Sequence, residues 1–564
     1  MATPSQVPGV GEEETSDRLG LGAFPRLDDA QLERFRALGR IREVEPGEVL
    51  FAEGQEGESF FVIESGAVSI VEDHGGKNRL IAVHGEHRFL GEIGLLLGQR
   101  LYLTGVVRDR GAVIEVPVGE LRKVVDEDRA LSDLILGAFM ARRQILIGIG
   151  TGNRLIGSRF SPDTRRLREF LARNRMPYHW IDLEQDETAE ALLRQFKIAP
   201  EETPVVIVGK GELLRNPSNA ELGRVLGLGS RGGLSPIGCD VVVVGAGPAG
   251  LAAALYAASE GLDTQSVEAV AAGGQAGTSA RIENYLGFPA GVSGSELTQR
   301  AGVQALKFGA RLTVPAEAVG LRSEPGRHEV RLSTGDVAVG RAVVIATGAR
   351  YRRLDVPRLG EFEMGGVYYA ATEAEAQLCA GDPVVIVGGG NSAGQAAMFL
   401  SKRSPDTHLL IRGDDLGKSM SRYLVDQIER NDNVTVCRNT EVVEVGGERE
   451  LETVTVADSR TGERRMVSAK ALFVFIGAEP HTDWLDGQLA TDEHGFLLTG
   501  RDVQGEGLEE YDGDRPLFLE TSRPGIFAVG DVHSGSIKRV ASAVGEGSMA
   551  VRLVHQRLAS DLAG

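Results

Sequence analysis

Two glycine loops constrain this chain more than any other feature. The first lies in CDVVVVGAGPAGLAAALYAASEGL, where Gly245, Gly247 and Gly250 separate an apolar run from an alanine-rich helix. The second lies in PVVIVGGGNSAGQAAMFL, with Gly388 and Gly390 and with Ala393 at the third position. At this spacing the first glycine permits a tight turn and the second lets a pyrophosphate approach the backbone. The third small residue lets helix and strand pack closely, and the helix N-terminus then faces the anion. One such loop is a weak signal, and its bland reading is a glycine-rich turn without a ligand. The flanking pattern strengthens it. Glu268 ends the next strand after the first loop, where an acid holds ribose hydroxyls. After the second loop the next strand, THLLIR, ends in Arg412. An arginine there suits a 2′-phosphate and disfavours plain NAD, and Lys418 and Arg422 stand nearby as helpers. The alternative is a solvated surface charge, the common state of arginine. Two nucleotide loops in one chain point to hydride chemistry between two cofactors.

The rest of the composition narrows the class. At about 100–200 residues per domain, 564 residues give about three to five domains. The 74 glycines belong to no repeat and indicate many tight turns. The net charge of −19 argues against a nucleic-acid partner, which needs clustered Lys and Arg. The N-terminus, MATPSQVPGVGEEETSDRLG, is acidic and has no apolar core, so it does not read as a signal peptide. No run reaches the ~18 apolar residues of a membrane span. Cytoplasmic location is the default expectation. The three cysteines, Cys239, Cys379 and Cys437, form neither a CxxC nor metal-ligand spacing, so no metal site is expected.

The pattern along the chain gives the expected organisation. Residues 1–18 read as a disordered tail. Residues 27–40 read as a helix that Asp28 caps, 46–118 as short alternating strands with glycine turns, and 118–149 as helical. These make a first domain over 19–148. A small α/β domain over 149–228 follows, ending with a hairpin after Pro204. The Gly, Ser and Pro-rich stretch 229–238 reads as a linker. The remainder alternates buried strands, glycine loops and helices, the pattern of doubly wound α/β domains.

From Cys239 onward the chain resembles the low-molecular-weight thioredoxin reductase family of flavoproteins. The matching pieces, in order, are GAGPAG, GGQAG, IENYLGFP, VVIATGA, GGGNSA, FVFIGAEPHTDWL and GIFAVGDV. The resemblance implies an FAD domain, 239–360 and 483–564, split by an NADPH domain, 361–482. It implies FAD contacts at Gly245, Gly247, Gly250, Glu268, Gly274, Gln275, Asn284 and Gly348. It also implies Gly530 and Asp531, whose acid meets the ribityl chain, and a run from Asp531 to Val540 that passes the flavin ring. NADPH is expected at Gly388, Gly390, Ser392, Ala393 and Arg412. The family also hints at a homodimer.

The chain departs from that family at the thiols. The family carries a CxxC just before the NADPH loop. Here Tyr369-Ala370-Ala371-Thr372 stands at about that place, and Cys379 lies nearer the following strand. The bland reading of all three cysteines is buried small hydrophobes. Residues 152–228 resemble a thioredoxin or glutaredoxin module, with Ser161 to Thr164 where its CxxC belongs and Thr203-Pro204 where its cis-proline belongs. Serine and threonine form no disulfide, so both thiol stations are empty.

The first domain resembles the cyclic nucleotide-binding domain, a jelly roll of β-strands with flanking helices. FLGEIGLLLGQR matches its phosphate cassette, Glu92 matches the glutamate that meets the ribose 2′-hydroxyl, and Gly91, Glu92 and Arg100 are the candidate nucleotide residues. Aligning Thr104 with the family's threonine puts Leu101 where the phosphate-binding arginine belongs and Arg100 one residue early. A bound cyclic nucleotide and a purely structural domain both remain open. The combined expectation is an NADPH-dependent FAD oxidoreductase whose electrons leave the flavin directly. Acceptors weighed are quinones, one-electron carriers and a docked partner disulfide. Two alternatives are a thioredoxin-disulfide reductase using Cys379 with a partner thiol, and a nucleotide-binding sensor without turnover.

Overall fold

The computed structural model describes residues 22–74, 77–186, 189, 193–194, 198–209, 212–228, 238–279, 282, 285–362, 365–369, 371, 375–376, 379–448, 450–511 and 515–560. The expected tail over 1–18, the linker over 229–237, and the candidates Asn284, Ala370 and Thr372 lie outside these residues. The chain forms two compact units. One gathers the described residues up to 228, with 269–271 and 306–317; the other gathers the rest.

The first unit opens with the helix Asp29–Leu38. Asp28 accepts from the Gln31 backbone N–H and the Gln31 side chain answers at the Asp28 backbone N–H, a capping box that fixes the start expected from sequence. An antiparallel sheet follows in the order Arg40–Val44, Thr104–Pro117, Ser59–His74, Lys77–His84, with Val49–Phe51 on the free part of Thr104–Pro117. The short strands expected over 46–118 are in fact dominated by two long ones, of 16 and 14 residues. Register shifts after Ile63, Ser65 and Ala67 bend this pair, because each unpaired residue adds local twist. Gly111 passes so close to Ser65 O that a Cβ there would overlap it. The helical stretch splits into Val118–Glu127 and Arg129–Gly148, with Asp128 accepting from the Leu131 N–H at 3.1 Å to start the second.

The small α/β portion has the strand order Tyr178–Asp182, Asn153–Gly157, Val205–Val208, Glu212–Arg215. The first pair is parallel and the others are antiparallel. The hairpin is as expected, and the Thr203-Pro204 peptide is cis. Tyr102 and Leu146 share one core with Leu155, Leu167, Phe170 and Leu222, so this portion is packed onto the strands and helices before it.

The second unit holds one mixed sheet with a parallel core and one fully parallel sheet. In the first, the order Thr264–Val267, Cys239–Val244, Val337–Ile345, Arg327–Leu332, Ala318–Glu324 includes a parallel core, with Ile526–Ala528 beside Val337–Ile345. In the second, Val367–Tyr368, Ala471–Val474, Val384–Val387, Thr407–Leu410 and Val434–Cys437 are all parallel. Runs such as VVVV and VVIV are buried on both faces, which parallel sheets require. The chain crosses between the sheets twice, through Ala349–Tyr351 and Ala478–Pro480, and these two segments pair with each other. The helix Val540–Ser560 packs on Pro248–Ser259, where Gly547 meets Ala249 O with no room for a side chain. Among the described residues no helix is long and apolar enough to cross a membrane.

Candidate functional site

The first glycine loop turns where the sequence predicts. Gly245 has φ +102°, and a Cβ on it would run into Ala346 O; one on Gly250 would run into Gly245 O. Gly247 is the N-cap of Pro248–Ser259 and no side chain caps that helix. Its first N–H groups therefore face the loop without a side-chain acceptor. Glu268 is held in place by the Ala246 N–H at 2.8 Å. Gly274 closes on Gly247, with a Cβ position only 2.9 Å from its Cα. Gln275 donates to Ala349 O, and Thr347 to His481 O at 2.9 Å, which ties Gly348 and its open φ +67° turn to both domain crossings. Gly530 brings the Gly530–Asp531 turn onto the same helix start, its Cβ position 3.0 Å from Ala249 Cβ. Burial pushes the Asp531 carboxyl up from its ordinary value, and the Lys538 and His533 charges oppose that. Val540 begins the last helix. The structure thus joins Gly245, Gly247, Gly250, Glu268, Gly274 and Gly530 at one cradle. A strip of backbone without Cβ atoms, an uncapped helix start and a strand-end acid fit a dinucleotide such as FAD.

The second loop repeats this geometry. Gly388 has φ +143° and excludes a side chain against Phe475 O. Gly390 is the uncapped N-cap of Asn391–Leu400, Ser392 is exposed and Ala393 is buried. The strand ends at Leu410, and Arg412 lies just beyond it, exposed and without a hydrogen bond or ion pair among the described residues. The two expected helpers already have acidic partners. Lys418 is held by Asp414 at 2.7 Å and Arg422 by Asp426 at 2.8 Å, because both acids sit four residues away. Sequence reasoning missed Ser419 and Asn391. Ser419 donates to Gly389 O at 2.9 Å, and Asn391 accepts from the Ser421 N–H at 2.7 Å, bracing the loop from the next segment. No periodicity or motif marks these two contacts.

At the station where the resemblance implies a CxxC, Tyr369 stacks on Tyr351 with ring centroids 6.4 Å apart and planes 12° apart. Burial, with the nearby Asp531 carboxylate adding, pushes the Tyr351 phenol up to about 12. All three cysteines are free. Cys379 is 2 % exposed, donates to Glu375 O at 3.1 Å, and has its thiol pushed up to about 11 by burial. Cys437 is buried and accepts from Arg465 at 2.9 Å. Cys239 is only half-buried, against the buried reading, because it opens its strand; its thiol lies 3.3 Å from Val241 O. Among the described residues no cluster of His, Cys, Asp and Glu could hold a metal. In the small α/β portion Ser161 caps the helix Pro162–Arg173, and Thr164 is fully buried with its hydroxyl unpartnered.

In the first domain the cassette residues are already engaged. Gly91 turns at φ +119°. Glu92 accepts from the Gly94 N–H at 2.9 Å through one oxygen and holds Arg143 at 2.7 Å through the other. Arg143 is buried and also donates to Gln99 at 2.8 Å. Arg100 pairs with Glu212 at 3.0 Å. Glu92 and Arg100, the candidate cyclic-nucleotide residues, both have protein partners in this structure. The cause is the helix Arg129–Gly148, which sets Arg142 on Gly91 O and Phe89 O and Arg143 on Glu92. The sequence did carry a signal. Two adjacent arginines in the apolar stretch AFMARRQILIG, if buried, require acidic or carbonyl partners.

Comparison with known proteins fits this geometry. Residues 239–547 match the family described as pyridine nucleotide-disulphide oxidoreductase. Residues 41–128 match the cyclic nucleotide-binding domain. The chain is 31% identical over 322 residues to a thioredoxin reductase of Streptomyces clavuligerus, covering 57% of this chain and 94% of that one. It is 33% identical over 329 residues to NADPH-dependent thioredoxin reductase 3 of Arabidopsis thaliana, covering 57% of this chain and 59% of that one. Among solved structures, thioredoxin reductase of Lactococcus lactis is 25% identical with a TM-score of 0.51, covering 57% of this chain and 99% of that one.

Proposed function

The chain belongs to the pyridine nucleotide-disulphide oxidoreductase family, as a thioredoxin reductase-like NADPH-dependent flavoprotein enzyme that uses FAD, and from that premise we propose that it passes reducing equivalents to an external acceptor without a dithiol of its own. Bound FAD would supply the two-electron chemistry that links NADPH to an acceptor. With a two-electron acceptor A the balance is NADPH + H⁺ + A → NADP⁺ + AH₂. With a one-electron carrier, two carriers are reduced for each NADPH.

The observation that carries this reading is the tyrosine stack at the expected thiol station. Tyr369 offers no sulfur, and Cys379 is buried and protonated. The chain's own residues then bind and orient. Gly245, Gly247, Gly250, Glu268, Gly274, Gln275, Gly348, Gly530, Asp531 and Val540 are proposed for FAD; Gly388, Gly390, Ser392, Ala393 and Arg412 for NADPH. Acceptors of three kinds fit: a quinone, a ferredoxin-like or flavodoxin-like carrier, or a partner disulfide. The portion over 149–228 is read as a thioredoxin-like module that has lost its thiols and serves as structure, with Ser161 as a helix cap. The first domain is read as a sensor for a cyclic nucleotide, which must exchange Glu92 away from Arg143 and Arg100 away from Glu212 to bind.

The test is an acceptor screen with the full chain, following NADPH oxidation with quinones, one-electron carriers and oxidised thioredoxin. Turnover with a quinone or carrier in a variant lacking all three cysteines supports direct exit. Turnover confined to thioredoxin and lost on Cys379→Ala means the thiol route through Cys379 operates.

A further inference from the structure

His533 follows directly after the Gly530–Asp531–Val532 turn and is 8 % exposed. Both of its ring nitrogens face oxygen acceptors. Nδ1 lies 2.7 Å from Ser534 O, and Nε2 lies 3.0 Å from Glu546 Oε2. A carbonyl oxygen cannot donate. Glu546 Oε2 also accepts the Gly530 N–H at 2.7 Å. A neutral imidazole has one N–H and one lone pair, and in either tautomer one nitrogen would present a lone pair to an oxygen. The imidazolium opposite the Glu546 carboxylate satisfies both contacts as a donor. Glu546 therefore links two things: the positive ring and the backbone N–H of the glycine that begins the acid turn.

We propose that His533 is a positioning residue for FAD: its imidazolium fixes Glu546, Glu546 fixes the Gly530–Asp531 turn, and the grip on FAD loosens when His533 loses its proton. This rests on the reading that Gly530 and Asp531 meet FAD.

The surroundings favour the charged ring. Burial works against the charge, but the Glu546 hydrogen bond and carboxylate outweigh it and hold the imidazole above its ordinary value. Asp531 adds to this in the same direction. From the neighbouring segment, Asp492 accepts from Ser534 at 2.7 Å, and Leu497 pairs with the chain at Val532 and Ser534. Lys538, next along the run, offsets the Asp531 charge and lies over the Phe496 ring at 4.7 Å. Tyr351, near Asp531, stays protonated throughout the range where histidine titrates, since its phenol is held up to about 12. Within this cluster His533 is the group whose charge changes as pH rises above histidine's ordinary value. The direction follows: the latch is closed below the imidazole's pKa and is lost as pH rises through it.

The experiment measures FAD release from the full-length holoenzyme between pH 6 and pH 9.5, by the rise in free-flavin fluorescence and by flavin retained after gel filtration. Wild type should bind FAD about tenfold or more weakly above the step than below it, the scale of one lost charge-assisted hydrogen bond. His533→Gln should bind weakly across the range, with the step gone. His533→Lys, which keeps a permanent charge, should hold FAD at pH 9 at least as well as wild type does. Wild-type affinity that is flat across the range overturns the latch without any variant. A His533→Gln protein that keeps the step also overturns it, by assigning the step to another group. A wild-type protein that binds no FAD at any pH would instead remove the underlying reading of the site.

Discussion

Arg143 lies on Glu92 at 2.7 Å with both side chains buried, so the acid proposed to meet a ribose already has a protein partner. A cyclic nucleotide has to displace that pair, and must also draw Arg100 from Glu212. The buried contact at ~1.5–3 kcal/mol, with at most about 1 kcal/mol more from the exposed Arg100–Glu212 pair, weakens binding by about 10–10³-fold relative to a free cassette. Calorimetry on the full chain should find cAMP or cGMP affinities weaker than micromolar. Glu212→Gln should tighten them severalfold, although Glu212 touches no ligand in this reading. Arg143→Met is the poorer probe, since it leaves Glu92 buried without its partner at a cost of ~3–5 kcal/mol. No heat with millimolar nucleotide in either wild type or Glu212→Gln would retire the effector. Binding without a change in NADPH oxidation would retire only its coupling to the enzyme.

The same pair shows where the sequence runs out. The dinucleotide loops were readable because their geometry is local: Gly245, Gly250 and Gly388 are demanded by backbone approaches within one strand–turn–helix unit. The Asp28 cap and the hairpin after Pro204 were readable for the same reason. Glu92 with Arg143, and Arg100 with Glu212, join residues 51 and 112 positions apart, and no spacing rule reaches that far. The His533–Glu546 contact spans 13 residues, but it depends on how a turn meets the following helix, which no periodicity records. The long strands were missed because their bulges imitate strand ends.

Arg412 should govern the choice of nucleotide. It is exposed and has no partner among the described residues, just past the end of the second loop's neighbouring strand, whereas Lys418 and Arg422 are held by Asp414 and Asp426. Arg412→Ala should lower kcat/KM for NADPH by about 10–100-fold, the worth of one charge-assisted contact to a phosphate. The value for NADH should stay within about twofold. Lys418→Ala and Arg422→Ala should each change NADPH kinetics by less than about threefold, a barrier change near 0.7 kcal/mol. Equal losses for NADPH and NADH in Arg412→Ala would mean that the residue does not read the 2′-phosphate.

Two glycines separate cofactor geometry from mere helix content. A methyl group on Gly250 would overlap Gly245 O, and a backbone oxygen inside a tight turn cannot step aside as a side-chain tip can. Gly250→Ala should therefore purify with little or no flavin. Gly302, inside the helix Gly294–Lys307, has nothing within 4 Å of where its Cβ would stand. Gly302→Ala should keep its flavin and gain ~0.4–1 kcal/mol of stability by restricting the unfolded chain. Flavin absorbance after gel filtration and thermal melts read both. A yellow Gly250→Ala protein with normal flavin affinity would contradict the cradle.

The thiols give the most direct test of how electrons leave. Cys379 is buried and its thiol is pushed up to about 11, so at pH 8 the thiolate is about one part in 10³. Iodoacetamide should label Cys379 in the native protein at least about 10²-fold more slowly than in the unfolded chain, as followed by mass spectrometry. Tyr369, stacked on Tyr351 at the station where relatives of this type are expected to carry sulfur, cannot take its place. A variant with Cys239, Cys379 and Cys437 all changed to Ala should keep its FAD and its NADPH-to-quinone turnover within about threefold, a barrier change below ~0.7 kcal/mol. Some loss of stability is expected, because buried cysteine fills space. The decisive comparison is Cys379→Ala alone in stopped flow. Normal bleaching of the flavin by NADPH together with lost acceptor reduction would show that electrons leave through sulfur. Normal bleaching with normal acceptor reduction, repeated in the variant that lacks all three cysteines, leaves the flavin itself as the exit.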